Sequence, residues 1–571
     1  MTPTLLALTL AAGPVPVAPQ HAGVGRLVPA LTATTLAGEA FPLGGGRPTV
    51  VAVTSTSCPV SRKYVPELAR LAKAHPGFDW VFVNPLAADE KADMAKAAAE
   101  LGGRYVADPA GTLAAALGAI STADVFVLDA KRTVVYRGAV DDRYGPGFSK
   151  DTATRTYLAD ALAAVTAGKS VAVPATTAPG CDLDLPTAPA TAVTYHNRVS
   201  RIVQRHCLEC HRAGGVGPFP LETRAQLLSH KGMVRRVVDD GRMPPWFAAG
   251  GHWANDRSLT AADKAALAGW LAAGGPEGNA ADAPAPLTFP AGEWVIGPPD
   301  AVYQIPKPVA VKADGVMPYQ VAEVETGLTE DRWVQGFEVK PTAPAVVHHV
   351  LVFALSPAEG KSRLERAVAG AEERRGFFAA YVPGNASQVF PDGFAKKLVK
   401  GSRLRFQIHY TPNGTAAEDQ VRVGVRWANG PPTHELKVTG LSNPRLRIPA
   451  GAAAHPESAS IRLPFDAVVT GFMPHLHVRG SACKYEATPA GGTATTLLDI
   501  PRYDFNWQLS YRPTEPVRLA RGTTLKFTAV FDNSSGNPAN PDPTRVVPWG
   551  QQTTDEMLLG YVEYYLPKTP R

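Results

Sequence analysis

The spacing of hydrophobic and polar positions changes along the chain. Between about residues 25 and 170, short apolar runs such as PTVVAVT, FDWVFVNP and DVFVLD alternate with helix-like stretches, one of them near Lys91 to Leu101. Buried strands that alternate with helices are typical of an α/β domain with a partly parallel sheet. From about Tyr195 to Gly275 the pattern favours short helices, which predicts a small all-α region.

From Val295 to the C-terminus the pattern becomes that of short strands. Segments such as LRFQIHY and TLKFTAVF alternate in polarity and are separated by Gly, Pro and Asn turns. This pattern predicts all-β structure, and the length of the region suits two sandwiches. Two Pro- and Ala-rich stretches between the regions are typical of linkers.

With 571 residues the chain is too long for a single core, so we predict a multidomain protein. The predicted boundaries are 1–22 for a signal peptide, 23–172 for the α/β domain, 173–192 for a linker, 193–278 for the all-α domain, 279–294 for a second linker, and 295–445 and 446–571 for two β-sandwiches.

Charge and hydropathy argue against two kinds of partner. The chain has 57 Lys and Arg residues against 51 Asp and Glu residues, without a basic run, so we expect no nucleic-acid partner. Outside the N-terminus no apolar run reaches about 18 residues, so we expect no membrane span. The apolar stretch from Leu5 to Ala12 lacks a charged region before it but has the outline of a secretory leader. We therefore expect a periplasmic or secreted protein.

The segment RHCLECH contains Cys207, Cys210 and His211, the C-x-x-C-H pattern of c-type haem attachment. Two thiols one helical turn apart can form thioethers with the haem, and the histidine can ligate the iron. A zinc site or a dithiol is the alternative, but neither a second C-x-x-C nor an H-x3-5-H pair lies nearby. The motif therefore predicts a covalently bound haem c in the all-α region.

The second axial ligand of this haem is predicted to be Met243, in the segment GRMPPW. This segment resembles the ligand loop of small cytochromes c, which favour Met/His ligation. The alternatives are Met233, His206, His230 and His252.

Five of the 14 histidines fall in three short motifs of the β region. They are His348 and His349 in VVHHVLVF, His409 in QIHY, and His475 and His477 in MPHLHVRG. On a strand, H-x-H places both imidazoles on one face, whereas the adjacent pair needs a β-bulge or a strand end to act together. Together the motifs favour imidazole-rich metal sites, for which copper and zinc are the leading candidates.

The segments VVHHVLVF, YVPGN, PDGF, QIHYTP, PHLHVRG, YDFNWQ and TTDEM extend this argument. Their order and approximate spacing over about residues 300–571 resemble those of the peptidylglycine α-hydroxylating and dopamine β-monooxygenases. The resemblance implies two jelly-roll-like sandwiches that hold two copper ions. It also implies hydroxylation of a substrate C–H bond with O2 and an electron donor, ascorbate or another reductant.

The resemblance implies a ligand set for each copper. The first copper would be bound by His348, His349 and His409, and the second, where O2 reacts, by His475, His477 and Met557. A thioether favours Cu(I), which supports Met557 as a ligand. The alternative for Met557 is a residue that only fills the core.

The chain departs from this family where substrate is held. Met473 stands in place of the arginine of peptide-hydroxylating members, and Leu559 in place of an asparagine, although Tyr561 is retained. We therefore treat Tyr561, together with Gln407 on the strand face of His409, as a candidate for the substrate pocket or the electron route. The organic substrate stays unknown.

The N-terminal strand PTVVAVT, followed by TSCPVS and a helix, resembles the thioredoxin and peroxiredoxin superfamily over about residues 25–168. Cys58 would lie at a helix N-terminus, which stabilises a thiolate. However, Ser61 replaces the second cysteine of C-x-x-C, and Ala123 stands where the family has a cis-proline. We predict a redox-silent or thiol-sensing domain; the alternative is a working thiol with Cys181 as its resolving partner.

These observations predict an exported oxidoreductase that contains haem and copper. In this hypothesis a monooxygenase receives electrons from the haem domain that precedes it in the chain. One alternative is a non-catalytic electron-transfer or copper-binding protein. Another is a thiol peroxidase that uses Cys58 and carries accessory domains.

Overall fold

The computed structural model describes residues 14–145, 148–186, 192–289, 293–315, 317–357, 376–382, 385–412 and 415–567. The apolar stretch of the predicted leader lies outside these residues, as do parts of both predicted linkers. The chain forms two compact units: an N-terminal unit of Met1–Glu209, Pro220–Pro244 and Ser258–Leu287, and a C-terminal unit of Cys210–Phe219, Pro245–Arg257 and Thr288–Arg571. None of the helices in the described residues has the length and apolar character needed to cross a membrane.

The N-terminal unit combines short strands with helices. Its strands are β1 (Thr32–Thr34), β2 (Ala40–Pro42), β3 (Thr49–Val53), β4 (Asp79–Asn84), β5 (Arg104–Ala107), β6 (Val125–Leu128), β7 (Val134–Gly138), β8 (Tyr144–Gly145) and β9 (Phe148–Ser149). Its helices are α1 (Pro59–Ala74), α2 (Lys91–Leu101), α3 (Thr112–Leu117), α4 (Tyr157–Thr166), α5 (Ser200–His206), α6 (Arg224–Ser229), α7 (Lys231–Asp239) and α8 (Ala261–Ala272).

The C-terminal unit is built from strands. They are β10 (Ala301–Gln304), β11 (Val309–Val311), β12 (Gln320–Glu325), β13 (Arg332–Lys340), β14 (Val347–Leu355), β15 (Phe377–Tyr381), β16 (Ser387–Val389), β17 (Phe394–Leu398), β18 (Arg403–Tyr410), β19 (Ala417–Asp419), β20 (Arg422–Trp427), β21 (His434–Ser442), β22 (Arg447–Ile448), β23 (His455–Arg462), β24 (Ala467–His475), β25 (Gly480–Thr488), β26 (Thr495–Ile500), β27 (Val517–Leu519), β28 (Thr524–Phe531), β29 (Val547–Pro548) and β30 (Leu559–Tyr565).

A five-stranded sheet in the order β5-β4-β3-β6-β7 forms the centre of the N-terminal domain. Strands β3, β4 and β5 are parallel, whereas β6 and β7 pair antiparallel. Every residue of β3 is buried because helices cover both faces of the sheet: α1, α2 and α4 contribute to the core on one face, and α3 to the core on the other. The predicted α/β organisation is confirmed.

Helices α5 to α8 follow this domain, where the sequence predicts an all-α region. A π-helical turn at Tyr195–Val199 leads into α5, and it begins with a capping box between Thr194 and Asn197. The Trp270 indole is buried and donates a hydrogen bond to the carbonyl of Pro276, which secures the end of α8.

The C-terminal unit contains two apolar cores, each enclosed by two sheets. A nine-stranded sheet, β10-β20-β13-β17-β21-β30-β24-β27 with β16 paired to β13, runs through both halves, and parallel pairing of β17 with β21 joins them. The sheet β12-β18-β14-β15 closes the first core, and the sheet β23-β28-β25-β26 closes the second. The region predicted as all-β is therefore β-rich throughout its described residues.

A third apolar cluster lies between these two halves. The face of β14 that carries His349 also carries Leu351 and Phe353, because side chains alternate along a strand. Leu351 and Phe353 contact the β24–β30 pair through a cluster that includes Met473 and Tyr561. This packing sets the histidine-bearing strands of both halves beside each other.

Candidate functional site

Three histidines meet on β14 and β18. Val347 pairs with Tyr410, but His349 pairs with His409, so the ladder skips His348. This is a β-bulge, and it brings together adjacent imidazoles that a regular strand would send to opposite faces. The Nδ1 atoms of His348 and His349 lie 2.9 Å apart. Potential ligand atoms of all three histidines lie within 4.8 Å of one another.

His475 and His477 extend this group. His475 ends β24, and its ring centroid is 5.6 Å from that of His349 and 5.4 Å from that of His477. His349, His409, His475 and His477 are buried, and His348 is partly buried. The structure therefore brings the five predicted histidines into one continuous cluster.

Burial keeps these imidazoles neutral. Loss of solvent is the largest cause in each case, and it lowers the pKa of His348 and His475 to about 4 and that of His409 to about 3. The pKa values of His349 and His477 fall well below their usual range for the same reason, and the neighbouring histidines add to the effect. A neutral imidazole offers a nitrogen lone pair to a metal ion.

The nitrogen atoms of the cluster fit a metal. Among the described residues no hydrogen-bond partner is found for His409 Nδ1 or His477 Nε2, although both atoms are buried. Buried polar atoms normally have a partner, so a missing ligand is a physical explanation. His477 Nδ1 donates to the carbonyl of Asp555 at 3.2 Å, which leaves its Nε2 as the acceptor. Imidazole nitrogens bind Zn²⁺ at about 2.0 Å. The Nδ1 atoms of His348 and His349, 2.9 Å apart, can therefore both reach one ion of that size.

Met557 lies beside this cluster. The β24–β30 ladder ends where His475 stands opposite Leu559. Beyond it, the backbone N–H groups of His477 and Met557 both donate to Glu556 Oε2, at 2.9 Å and 3.2 Å. Met557 is 3% exposed and packs in an apolar cluster with Leu559 and Tyr561. The burial of Met557 is compatible with both roles predicted from the sequence, a copper ligand and a residue that fills the core.

Two aromatic residues that the sequence analysis missed line the histidine cluster. The Tyr319 hydroxyl is hydrogen-bonded to His349 Nε2 at 3.1 Å, and its ring stacks on His409 with centroids 4.8 Å apart. Phe505 stacks on His348 at 4.4 Å. Tyr319 belongs to none of the motifs, whereas Phe505 lies in YDFNWQ, one of the segments that resemble the monooxygenases.

Polar residues of the same motifs orient the imidazoles. Gln508 of YDFNWQ accepts a hydrogen bond from His475 Nδ1, which leaves the lone pair of Nε2 available to a metal ion. His409 Nε2–H donates to the hydroxyl oxygen of Thr553, in TTDEM, at 3.1 Å, which leaves the lone pair of Nδ1 available to a metal ion. Partners of this kind set the tautomer and the direction of a ligand imidazole.

Glu556 ties the H-x-H segment to TTDEM. Its buried carboxylate accepts hydrogen bonds from the backbone N–H groups of His477 at 2.9 Å and Arg479 at 2.6 Å. The Arg479 guanidinium in turn donates to the carbonyl of Thr554 at 3.0 Å. Burial raises the pKa of Glu556 to about 8, while these hydrogen bonds act in the opposite direction.

A cavity lies next to the Met473 and Tyr561 face. Its lining includes Phe337, Phe377, Met473, Tyr561, Lys396 and Glu563. The last two form an ion pair with N···O 3.0 Å and are largely buried. Gln407, the other residue suggested for a pocket or an electron route, is buried on β18 opposite Leu351.

The haem motif follows α5. The Cys207 N–H donates to the carbonyl of Val203 at 2.9 Å, and the two compact units divide between Glu209 and Cys210. His211 Nδ1 donates to the carbonyl of Phe219 at 3.0 Å, which leaves Nε2 as the nitrogen able to ligate iron.

Met243 lies after α7, in the N-terminal unit, and its N–H donates to the carbonyl of Val237 at 3.0 Å. It is partly buried, whereas the alternative Met233 is exposed. Because Met243 and His211 belong to different units, the identity of the second axial ligand stays a prediction.

Cys58 precedes α1, as predicted, and is buried. Its Sγ lies 2.8 Å from Sγ of Cys181, which is exposed. Ser61, which stands at the second position of a C-x-x-C motif, accepts a hydrogen bond from the N–H of Ser55 at 2.9 Å. Ala123 is buried in the loop before β6.

The family model Redoxin matches residues 24–155. Similar solved structures include a hypothetical protein from Sinorhizobium meliloti 1021, 26% identical, covering 29% of this chain and 96% of that chain, with a TM-score of 0.26. An uncharacterized conserved protein from Geobacillus kaustophilus is 26% identical, covering 32% of this chain and 100% of that chain, with a TM-score of 0.27. A secreted Mycobacterium tuberculosis disulfide oxidoreductase homologous to E. coli DsbE is 22% identical. The match covers 24% of this chain and 95% of that chain, with a TM-score of 0.20.

Among curated proteins no match is found. The family match, with the sheet order and the helices on both faces, confirms part of the sequence interpretation. The chain is a multidomain protein with a redoxin, or thioredoxin-like, domain at residues 24–155 and a large β-rich remainder.

Proposed function

We propose that the C-terminal unit is a two-copper monooxygenase that hydroxylates a C–H bond of an organic substrate with O2. The observation that carries this proposal is the cluster of five neutral imidazoles, in which His409 Nδ1 and His477 Nε2 are buried nitrogens without a partner among the described residues. Imidazoles suit copper or zinc, and a nearby thioether favours copper.

The candidate ligands divide between the two halves of the unit. On the first half one ion would be held by His348, His349 and His409. On the second half the other would be held by His475, His477 and Met557. When bound, copper supplies one-electron transfer and reactivity towards O2.

The chain's own side chains hold this arrangement. Tyr319, Thr553 and Gln508 fix the imidazoles through hydrogen bonds, so the nitrogen lone pairs keep their direction without a metal. Phe505 covers His348 and limits the access of bulk water. The cavity beside Tyr561 is the proposed place for the substrate.

We also propose that Cys207 and Cys210 carry haem c, with His211 and Met243 as axial ligands. The hydrogen bond from His211 Nδ1 to Phe219 supports this, because it leaves the other ring nitrogen as the iron ligand. A bound haem stores single electrons, and the proposal is that it passes them to the three-histidine copper. Thioether attachment takes place outside the cytoplasm, so we propose a periplasmic or secreted protein.

Metal content tests the ligand assignment. Copper-loaded protein should contain about two copper ions per chain, one for each ligand set. His348→Ala should remove one ion and His475→Ala the other. His455→Ala is a matched control, because His455 pairs with Glu457 on β23 and lies outside the cluster. Tight binding of zinc without any copper redox signal would contradict the proposal.

Oxygen uptake tests the activity. With ascorbate and a panel of small C–H substrates, copper-loaded protein should consume O2 in step with substrate and incorporate one atom of labelled oxygen into product. Protein without copper and the His475→Ala variant should not. Stable binding of two coppers without substrate-dependent uptake for any member of the panel would favour the non-catalytic copper protein instead.

A further inference from the structure

The stretch after α4 is bound to the N-terminal domain, although the sequence predicts a linker at residues 173–192. The Arg137 N–H donates to the carbonyl of Pro174 at 3.0 Å, and the Thr176 N–H donates to the carbonyl of Arg137 at 3.0 Å. The Thr176 hydroxyl also accepts from the N–H of Ala139 at 2.8 Å. These bonds attach the stretch to the edge strand β7.

The same stretch then pairs with the loop before β6. The Cys181 N–H donates to the Thr122 hydroxyl at 3.0 Å, and the Thr122 N–H donates to the carbonyl of Cys181 at 2.9 Å. Two residues further on, the Leu183 N–H donates to the carbonyl of Ile120 at 3.0 Å. The chain's own segment thus occupies the backbone groups of this loop in the way that an added strand does.

Gly180 makes this close approach feasible. A Cβ at this position would lie 2.4 Å from the backbone nitrogen of Ala123 and 2.9 Å from that of Thr122. Such distances are too short for any side chain, so only glycine allows the two backbones to meet here.

The pairing sets Cys181 against Cys58. The two Sγ atoms lie 2.8 Å apart, although the residues are 123 positions apart in the chain. Cys58 is 3% exposed and held in place by its N–H, which donates to the Ser55 hydroxyl at 3.1 Å. Cys181 is exposed, so a molecule from solution meets the sulfur of Cys181 first.

The two thiols also differ in acidity. Burial opposes ionisation of Cys58, but hydrogen bonds from Cys181, Thr122 and Ser61 outweigh it and lower the pKa of Cys58. The hydrogen bond with Cys58 raises the pKa of Cys181. In thiol–disulfide exchange the more acidic thiol leaves more readily, so attack on Cys181 with release of Cys58 is favoured.

We propose that Cys58 and Cys181 form a second redox centre, a disulfide that oxidises an external dithiol. A thiolate of the dithiol attacks Cys181 Sγ, the Cys58–Cys181 bond breaks, and Cys58 leaves as a thiolate. The second thiol of the dithiol loses its proton and attacks the mixed disulfide, which releases Cys181. The dithiol becomes a disulfide, the protein gains two electrons, and the two protons pass to solvent or to the released thiolates. This centre is independent of the copper proposal.

Disulfide mapping on the full-length protein tests the centre. After equilibration with oxidised glutathione, peptide mass spectrometry should find a Cys58–Cys181 link that dithiothreitol removes. Cys58→Ser and Cys181→Ser should abolish the link, whereas Cys483→Ser, a change at a buried cysteine of the C-terminal unit, should retain it. In acid-quenched reactions of the oxidised protein with glutathione, the mixed disulfide should lie on Cys181. A mixed disulfide on Cys58, or no link between the two cysteines, would overturn the proposal.

A variant at Gly180 tests whether docking of the segment, rather than the presence of the two cysteines alone, determines how fast the link forms. Gly180→Ala keeps both cysteines but forces the segment away from the loop, so the link should form on the order of tenfold more slowly as the effective concentration of the thiols falls. Gly77→Ala is the matched control, because a Cβ there meets nothing within 4 Å among the described residues. Circular dichroism would establish that both variants fold. An unchanged rate in folded Gly180→Ala would contradict the role of the docked segment.

Discussion

At the scale of single residues, the bulge at His348 decides which imidazoles can share a metal. An extra residue in one strand turns two adjacent side chains towards a common point, which the two-residue period of a strand otherwise prevents. Around this point hydrogen bonds to other parts of the chain direct the rings, such as the bond from His409 Nε2–H to the Thr553 hydroxyl oxygen. The orientation of each imidazole ring therefore depends on its hydrogen-bond partners as well as on the position of the histidine in its strand.

Thr553→Val should weaken binding of the copper at the three-histidine set. The change keeps the size of the side chain but removes the hydroxyl that orients His409, and losses of such partners weaken metal binding by about 10- to 100-fold. A competition titration with a chromophoric Cu(I) chelator measures the effect. Thr493→Val, in the exposed loop before β26, is the control and should bind copper as the wild type does. Equal affinity in both variants would show that Thr553 does not position the ring.

At the level of secondary-structure elements, the β24–β30 pair and the residues that adjoin it contain the proposed second ligand set. His475 stands on one strand and Met557 just before the other, so the register of this pair determines whether the thioether reaches the imidazoles. Glu556 and Arg479 hold the two connecting segments at the end of the ladder.

Gly560→Ala should destabilise this pair. A Cβ at this position would lie 2.6 Å from the ring of Phe527 and 2.8 Å from the hydroxyl oxygen of Tyr485, both of which are fully buried. Overfilling a packed core of this kind lowers the free energy of unfolding by about 1–3 kcal/mol. Urea unfolding measures this loss, and metal analysis should show less copper at the second set. Gly492→Ala, in an exposed turn, is the control; a Gly560→Ala protein as stable as this control would contradict the packing argument.

At the scale of the whole molecule, the proposed thiol centre and copper centre lie in different compact units with separate apolar cores. Chemistry in one core therefore does not depend on side chains of the other. The two proposed redox sites therefore need not exchange electrons.

The two activities should respond independently to mutation. Cys58→Ser should leave ascorbate-driven O2 uptake nearly unchanged, and His475→Ala should leave the Cys58–Cys181 link intact. Parallel oxygen-electrode and disulfide-mapping measurements on the two variants test this. A large loss of O2 uptake in folded Cys58→Ser would show that the redoxin-like domain takes part in the oxygen chemistry.

The features that depend on neighbouring residues in the chain were predictable from the sequence. The alternation of polar and apolar residues predicted the α/β domain and the β-rich region because each element has its own period. The histidine motifs and C-x-x-C-H were visible because their spacing is that of a strand or a helical turn. The need for a bulge at His348 also followed from strand geometry, and the structure contains that bulge.

Contacts between distant residues, in contrast, became visible in the folded chain. Cys181 lies in a Pro-rich stretch whose composition predicts a linker. Its contact with Cys58 depends on hydrogen bonds to the loop before β6 and on the absence of a side chain at Gly180. Tyr319 carries no motif, yet it stacks on His409 because β12 and β14 both pair with β18. Such contacts depend on packing between elements that are far apart in sequence. A local pattern of residue types does not show which of these elements pack together.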